Sequence, residues 1–309
     1  MEHLLAALRA AAETTRLRIL ALLSQGELTV GELVQILDQS QPRVSRHLKL
    51  MCDAGLLDRF QEGTMVFYRL SEGGIGNALN KAIVPLVPAG DAGLTDDLIA
   101  LGAIRAERLE KAQCYFRENA GSWDKIRSLH VAEEQVEAAL VELQGGRQQQ
   151  RMLDVGTGTG RMLEVFSSYI TQAVGIDLSR AMLSVARANL AQKGLPNCQV
   201  RQGDMYSLGV EPASQDLIVF HQVMHFASEP LQALVEASNA LAVDGQVLVA
   251  DFAPHEEEYL RVDHAHRRLG FGEKEMINLG AQAGLKSTAV KHLDGGKLRV
   301  TIWKFEKNS

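Results

Sequence analysis

The 309-residue chain is 46% hydrophobic, enough apolar mass for about two cores when a domain runs to roughly 100–200 residues, and its net charge of −6 leaves a nucleic-acid partner only if the basic residues form a local face. Three cysteines, Cys52, Cys114 and Cys198, are far apart and odd in number, which excludes a disulfide framework. No uninterrupted apolar run approaches the ~20 residues that span a bilayer, and the start carries Glu2 with no basic signal-peptide segment, so a cytoplasmic protein is expected.

Residues 4–23 alternate apolar and polar positions at helical spacing until Gly26 breaks the run. A short helix over 30–37, a turn over 38–40 and a second helix over 41–54, stopped by Gly55, follow. Ser40 is placed to cap the second helix, and Pro42 falls in its first turn, where a missing amide costs nothing. Val44, Leu48 and Met51 form a stripe for burial, which leaves Gln41, Arg43, Ser45, Arg46 and Lys49 on other faces. Residues 1–76 are balanced, 8 Lys/Arg against 9 Asp/Glu, yet the window 39–52 holds Arg43, Arg46 and Lys49 and no acid. This is a helix-turn-helix with a cationic face suited to phosphates. Residues 57–70 alternate as two strands around Glu62-Gly63, with Val66, Phe67 and Tyr68 in the return strand, and a hairpin there makes a winged helix.

The segments Thr15-Arg16-Leu17-Arg18-Ile19-Leu20, Glu27-Leu28-Thr29-Val30-Gly31-Glu32-Leu33, Ser45-Arg46-His47-Leu48-Lys49 and Tyr68-Arg69-Leu70 together resemble the ArsR family of bacterial repressors over about the first 72 residues. The resemblance implies a homodimer on an inverted-repeat duplex, with Gln41, Arg43, Ser45, Arg46 and Lys49 contacting DNA. Two departures stand out. Where relatives often carry a Cys-x-Cys metal pair this chain has Thr29 and Gly31, and the helix around 77–84 lacks the histidine and acidic ligands of other relatives, so no metal is expected. The wing tip, Gln61-Glu62-Gly63-Thr64, lacks the arginines that relatives place there, so most DNA affinity is expected from the recognition helix.

Glycines and prolines crowd residues 71–94 around an apolar stretch over 79–87, which suggests a dimerisation helix and then a linker. Thr95, Asp96 and Asp97 signal the start of a long helix ending near Gly121. The segment 123–131 precedes another helix, and Gly145-Gly146 leads into a second domain. The expected boundaries are 1–72 for the winged helix, 73–122 for the connecting helices and 123–309 for the second domain.

That domain alternates strand and helix signals at 152–155, 161–169, 173–176, 181–192, 198–202, 216–220, 230–241 and 246–251, the pattern of a mostly parallel sheet covered by helices. Leu153-Asp154-Val155-Gly156-Thr157-Gly158-Thr159-Gly160 follows a strand and opens a helix, so its backbone can approach a ligand with no Cβ in the way. Asp177 ends the next strand, where a carboxylate can accept from ribose hydroxyls, and Gly203-Asp204-Met205 closes the third, where a carboxylate and an amide can read an adenine edge.

With Gly175-Ile176-Asp177-Leu178-Ser179 and Met182, the domain resembles the class I S-adenosylmethionine-dependent methyltransferases from about Trp123 to Trp303; its glycines alternate, unlike those of a dinucleotide dehydrogenase. The resemblance implies a Rossmann-like α/β fold with a mostly parallel seven-stranded sheet, binding S-adenosylmethionine or S-adenosylhomocysteine. It places Asp154, Gly156 and Gly158 at the methionine part, Asp177 at the ribose, and Met182, Asp204 and Met205 around the adenine, with Thr157, Gly160 and Leu178 also expected among the cofactor-binding residues. Each has a plainer alternative: Asp154 as a turn cap, Asp177 as a solvated acid, Met182 as core filler.

His221 and His225 stand at i, i+4, but Gln222 cannot serve as the general base of a zinc-peptidase motif; the resemblance implies that this segment follows the fourth strand and lines the cofactor cleft, with His221 and Gln222 as lining, and a purely structural role is the alternative. Asp251, His264 and Arg267 either hold an acceptor or cover the cleft, or belong to a solvated helix face, and the histidine-rich stretch that includes His266 has no assigned role. The cysteines do not form the clustered set of arsenic methyltransferases. Methyl transfer needs chiefly alignment, so no catalytic residue and no acceptor can be named, and two outcomes stay open: an adenosyl-ligand sensor that controls DNA binding, or an active small-molecule methyltransferase that controls its own pathway.

Overall fold

The computed structural model describes residues 1–62, 64–71, 73–120, 133–295 and 298–307, in two compact units, Met1–Glu110 and Lys111–Ser309. In the first unit the predicted opening helix is two: α1 (Glu2–Ala11) and α2 (Thr14–Leu23). The break falls at Glu13, which leaves the helical conformation and accepts from the Arg16 amide at 3.0 Å as the N-cap of α2.

β1 (Leu28–Thr29), α3 (Val30–Leu37) and α4 (Gln41–Asp53) come next. Thr29 and Glu32 form a capping box at the start of α3, the Thr29 hydroxyl accepting from the Glu32 amide at 3.3 Å and the Glu32 carboxylate from the Thr29 amide at 2.9 Å. The position expected as a lost thiolate ligand is therefore a helix cap. Asp38 makes the turn in the left-handed conformation, φ 50°. Ser40 is the N-cap residue of α4 as expected, but its side chain makes no capping bond.

β2 (Leu57–Glu62) and β3 (Met65–Leu70) form the wing, with β1 added on the far side of β3. Glu62, expected in the turn, is instead the last residue of β2 and pairs with Met65; Gly63 lies outside the described residues. Ile19, Leu20, Leu33, Val44, Leu48 and Met51 fill the core beneath.

The glycines after the wing do not all mark a linker. α5 (Gly74–Ile83) contains Gly76, where a Cβ would overlap the Gly55 carbonyl, so this glycine lets the helix close on the end of the recognition helix. α6 (Ala92–Asn119) starts before the predicted Thr95, because the Asp91 carboxylate caps it by accepting from the Leu94 amide at 2.9 Å. Asp97, read as a first-turn acid, is buried and forms a forked ion pair with Arg18 on α2, one arm at 2.6 Å. Leu101 and Ile104 of α6 join the same core, and the boundary between the units falls within this helix.

In the second unit the expected segment at 123–131 lies outside the described residues. From there α7 (Glu133–Gln144), β4 (Gln149–Val155), α8 (Arg161–Phe166), β5 (Ile170–Asp177), α9 (Arg180–Lys193), β6 (Cys198–Gln202), β7 (Gln215–His221), α10 (Pro230–Ala240) and β8 (Leu241–Phe252) alternate as predicted. Beyond residue 251 the sequence delimits no elements, and the structure adds α11 (Tyr259–Asp263), α12 (Glu273–Gln282) and the hairpin β9 (Leu285–Gly295) and β10 (Leu298–Lys307). The described residues form a seven-stranded sheet, order β6-β5-β4-β7-β8-β10-β9, parallel from β6 to β8 and antiparallel at β10. Leu217–Phe220 and Val247–Ala250 are fully buried, the continuous apolar runs of strands covered on both faces. β4 lies between β5 and β7, so the chain winds away from it in both directions and a cleft opens outside its carboxyl end.

Candidate functional sites

On α4 the pattern resolves as the periodicity requires. Val44, Leu48 and Met51 are buried, while Gln41, Arg43, Arg46 and Lys49 are exposed and Ser45 is half-exposed. The cationic groups therefore project from a helix held rigidly from behind. His47, not predicted as a site residue, is half-buried between them, with Nδ1 3.8 Å from Glu13. Burial lowers its pKa, and Arg16, Arg43 and Arg46 lower it further against the pull of Glu13. In the wing, Phe60 stacks on Phe67 at 5.5 Å and the Arg69 guanidinium lies over Phe60 at 5.2 Å.

The glycine loop is shaped by its backbone. Gly156, Gly158 and Gly160 all have positive φ, at 71°, 54° and 86°, a region that favours glycine. A Cβ on Gly156 would overlap the Val223 side chain, so the loop after β7 closes directly on this turn. Asp154 is buried and accepts from the Thr157 hydroxyl at 2.6 Å, bracing the turn from beneath. The Gly156 and Thr157 amides both donate to the Ile176 carbonyl, at 2.8 and 2.9 Å.

Asp177 is the hub. One carboxylate oxygen accepts from the Gly158 amide at 2.9 Å and the other from the Ser179 amide at 2.8 Å, while its own carbonyl accepts from the Gly203 amide at 3.1 Å. Burial raises its pKa against the lowering effect of the backbone amides. The ends of β4, β5 and β6 are thus joined through one residue.

Asp204 accepts from the Tyr206 amide at 3.0 Å, and Leu178 and Met205 are half-buried beside these strand ends. Met182 is 1% exposed within α9. Tyr206, which sequence reasoning missed, accepts from the Ser228 and Glu229 amides at 2.7 and 3.1 Å and fastens the loop after β6 to the loop after β7. Only its place directly after Asp204-Met205 could have drawn attention to it.

His221 and His225 do not share a helix: His221 ends β7, Gln222 turns at φ 51° with its amide on the Ala250 carbonyl at 2.8 Å, and His225 lies in the single tight turn Met224–Phe226. His221 and Gln222 are buried against the end of β7. His225 engages Asp251 instead, through Nδ1 at 2.8 Å. Among the described residues no group of three or more His, Cys, Asp or Glu is placed to hold a metal ion.

The basic stretch after α11 is not a solvated helix face. Residues 264–270 are irregular and fold back on the sheet, with Arg268 only 5% exposed. The Arg267 and Arg268 amides both donate to the His225 carbonyl at 3.0 Å, Arg267 Nη1 donates to the Ser228 hydroxyl at 3.2 Å, and the His266 ring stacks on His225 at 4.0 Å. His264 is half-buried, its ring edge-on to Tyr259 at 5.8 Å.

Two family models match. Residues 13–59 match that of the bacterial regulatory proteins of the arsR family, and residues 147–289 match a methyltransferase domain. The arsenical resistance operon repressor of Escherichia coli is 42% identical over 110 residues, 35% of this chain and 78% of that repressor. YcgJ of Bacillus subtilis, described as an uncharacterized methyltransferase, is 32% identical over 123 residues, 39% of this chain, and the chain spans only 49% of its length. The solved structure of a putative methyltransferase from Bacillus halodurans superposes with a TM-score of 0.50 at 17% identity, over 56% of this chain and 99% of that one. No described helix is long and apolar enough to cross a membrane. By its amino-terminal winged helix the chain belongs to the ArsR family of bacterial regulatory proteins, and behind that DNA-binding domain it carries a domain of the class I S-adenosylmethionine-dependent methyltransferase fold.

Proposed function

We propose that this chain is a homodimeric transcription regulator, acting as a repressor, whose methyltransferase domain binds S-adenosylmethionine or S-adenosylhomocysteine as an effector and so ties genes of the methionine and methyl cycle to the supply of those ligands. The observation that carries it is the pairing, on one chain, of an exposed cationic helix face with no acid over residues 41–52 and a glycine loop cross-braced by Asp177. Gln41, Arg43, Ser45, Arg46 and Lys49 contact the operator. Asp154, Gly156, Thr157, Gly158 and Gly160 surround the methionine part, Asp177 and Leu178 the ribose, Met182, Asp204 and Met205 the adenine, and His221 and Gln222 line the cleft.

An effector changes DNA affinity only if it binds the two states of the dimer unequally, and such couplings amount to about 1–3 kcal/mol. The test is an operator titration with neither ligand and with each at saturation. One of the two ligands is expected to change operator affinity at least about fivefold, and Asp177→Ala to bind DNA without responding. Superimposable curves would mean that the domains are merely tethered. The second reading, an active methyltransferase, is favoured by one observation, the buried pair His225–Asp251 next to the cleft.

A further inference from the structure

The proposed ligand residues occupy the ends of β4, β5, β6 and β7. Next in sheet order, at the ends of β7 and β8, lies a buried titratable pair that this ligand set does not use. The Asp251 carboxylate accepts from His225 Nδ1 at 2.8 Å, from the His225 amide at 3.2 Å and from the Phe252 amide at 2.7 Å. Three donors hold it in one orientation. A carboxylate on Nδ1 keeps the proton of the neutral imidazole on that nitrogen, so Nε2 carries the lone pair, and it stabilises the imidazolium formed when Nε2 takes a proton.

The position of the pair is set by two further contacts. Val223, two residues before His225, packs into the space that Gly156 leaves by lacking a side chain, so this turn adjoins the glycine loop. On the other side, the strap of residues 264–270 is pinned to the His225 carbonyl by two amides and lays His266 against the His225 ring. His225 is 2% exposed, so while an acceptor fills the site the base meets that acceptor rather than water, and solvent reaches it only after the product has left.

We propose that, with S-adenosylmethionine in the cleft, His225 accepts the proton of a hydroxyl-bearing acceptor, an alcohol or a phenol, during methyl transfer, and that Asp251 is its positioning residue. This rests on the adenosyl-ligand reading of the cleft and gives the methyltransferase alternative a base and a substrate class. A hydroxyl is the acceptor that needs such a base, because a phenol holds its proton up to pH ~10 and an alcohol beyond that, whereas a neutral amine already presents its lone pair. In the step the acceptor O–H bond breaks and its proton goes to Nε2, the O–CH3 bond forms, and the methyl–sulfur bond breaks with its electron pair returning to sulfur. A neutral thioether and an imidazolium paired with Asp251 remain, and the imidazolium then releases its proton to solvent.

The test uses the full chain, wild type, H225Q and D251N. Nitrogen-15 NMR of the ligand-free wild type is expected to show neutral His225 protonated at Nδ1 and bare at Nε2, with that tautomer lost in D251N. Calorimetry with S-adenosylhomocysteine is expected to give affinities within about twofold of one another, reporting that both variants fold. Methyl-labelled S-adenosylmethionine, incubated with the small-molecule fraction of a bacterial extract, is expected to label oxygen, at least ~100-fold more slowly in H225Q and with a displaced pH profile in D251N. A wild type that fails to bind S-adenosylhomocysteine overturns the ligand reading and this proposal with it. Binding without any transfer, transfer by H225Q at the wild-type rate, label on nitrogen or sulfur, or a neutral His225 protonated at Nε2 overturns the proposal alone.

Discussion

Along α4 the function-bearing groups Arg43, Arg46 and Lys49 stand in solvent on a helix anchored by Val44, Leu48 and Met51, while in the loop after β4 the backbone itself is shaped, by three glycines at positive φ, by Asp154 beneath Thr157 and by Asp177 bridging Gly158 and Ser179. In the helix, anchoring and contact belong to different residues. In the loop the atoms that hold the turn are the same ones proposed to face the ligand. Substitutions in the first region should therefore separate binding from stability, and substitutions in the second should not.

The largest effect is expected at Gly156→Ala. The new Cβ must displace Val223 and the residue must keep φ 71°, so the second unit should lose about 2–4 kcal/mol in denaturant unfolding and ligand binding should vanish in calorimetry. Retained binding with an unchanged unfolding midpoint would show that the turn tolerates a side chain and that the comparison is wrong.

Next comes Asp177→Ala, which removes the acceptor of two amides together with the expected ribose contact. A loss of more than tenfold in adenosyl-ligand affinity, about 1.5–3 kcal/mol, should accompany a lower melting temperature. An affinity loss with no change in melting would separate the two roles and bring the loop closer to the helix in kind.

Thr29→Ala tests the anchoring side of the winged helix. Breaking the capping box of α3 should cost about 1 kcal/mol of stability in the first unit, and adding or chelating zinc should leave both proteins unchanged. Zinc-dependent DNA binding would overturn the reading of Thr29 as a cap in place of a ligand.

The smallest effect on stability is expected at Arg46→Ala, which should leave the melting temperature where it is. Operator affinity should fall, and the slope of log affinity against log salt should become shallower by about one unit, the signature of one lost phosphate contact. A lowered melting temperature would show that the exposed face is less independent of the core than its geometry implies.

Much of both regions was legible in advance because periodicity and chain punctuation are local. The boundaries of α3 and β6 fall where expected, and those of α4 and of the segments from β4 to β8 lie within a few residues of expectation, since a 3.6-residue stripe or an apolar run between turn signals records burial directly. The misses are local exceptions settled by distant partners. Gly76 was one of the glycines and prolines crowding 71–94, a mere helix-weakening signal, and is a close contact with Gly55, while Asp97 looked like a helix-start acid and is the buried partner of Arg18. No spacing rule reaches across 79 residues from Asp97 to Arg18.

From the sequence alone came the succession of elements, the exposed basic face and the glycine loop, because each is a property of neighbouring residues: side-chain size, charge, and the absence of a Cβ. Tertiary structure alone decided what those pieces meet. The parallel sheet brings the ends of β4, β5, β6 and β7 side by side, ties Tyr206 to the amides of Ser228 and Glu229, and folds the strap after α11 onto His225. It also sets Asp251 against His225 from a separate strand. Such contacts depend on strand order and on which groups burial forces to find partners, and both are settled only when the chain closes on itself.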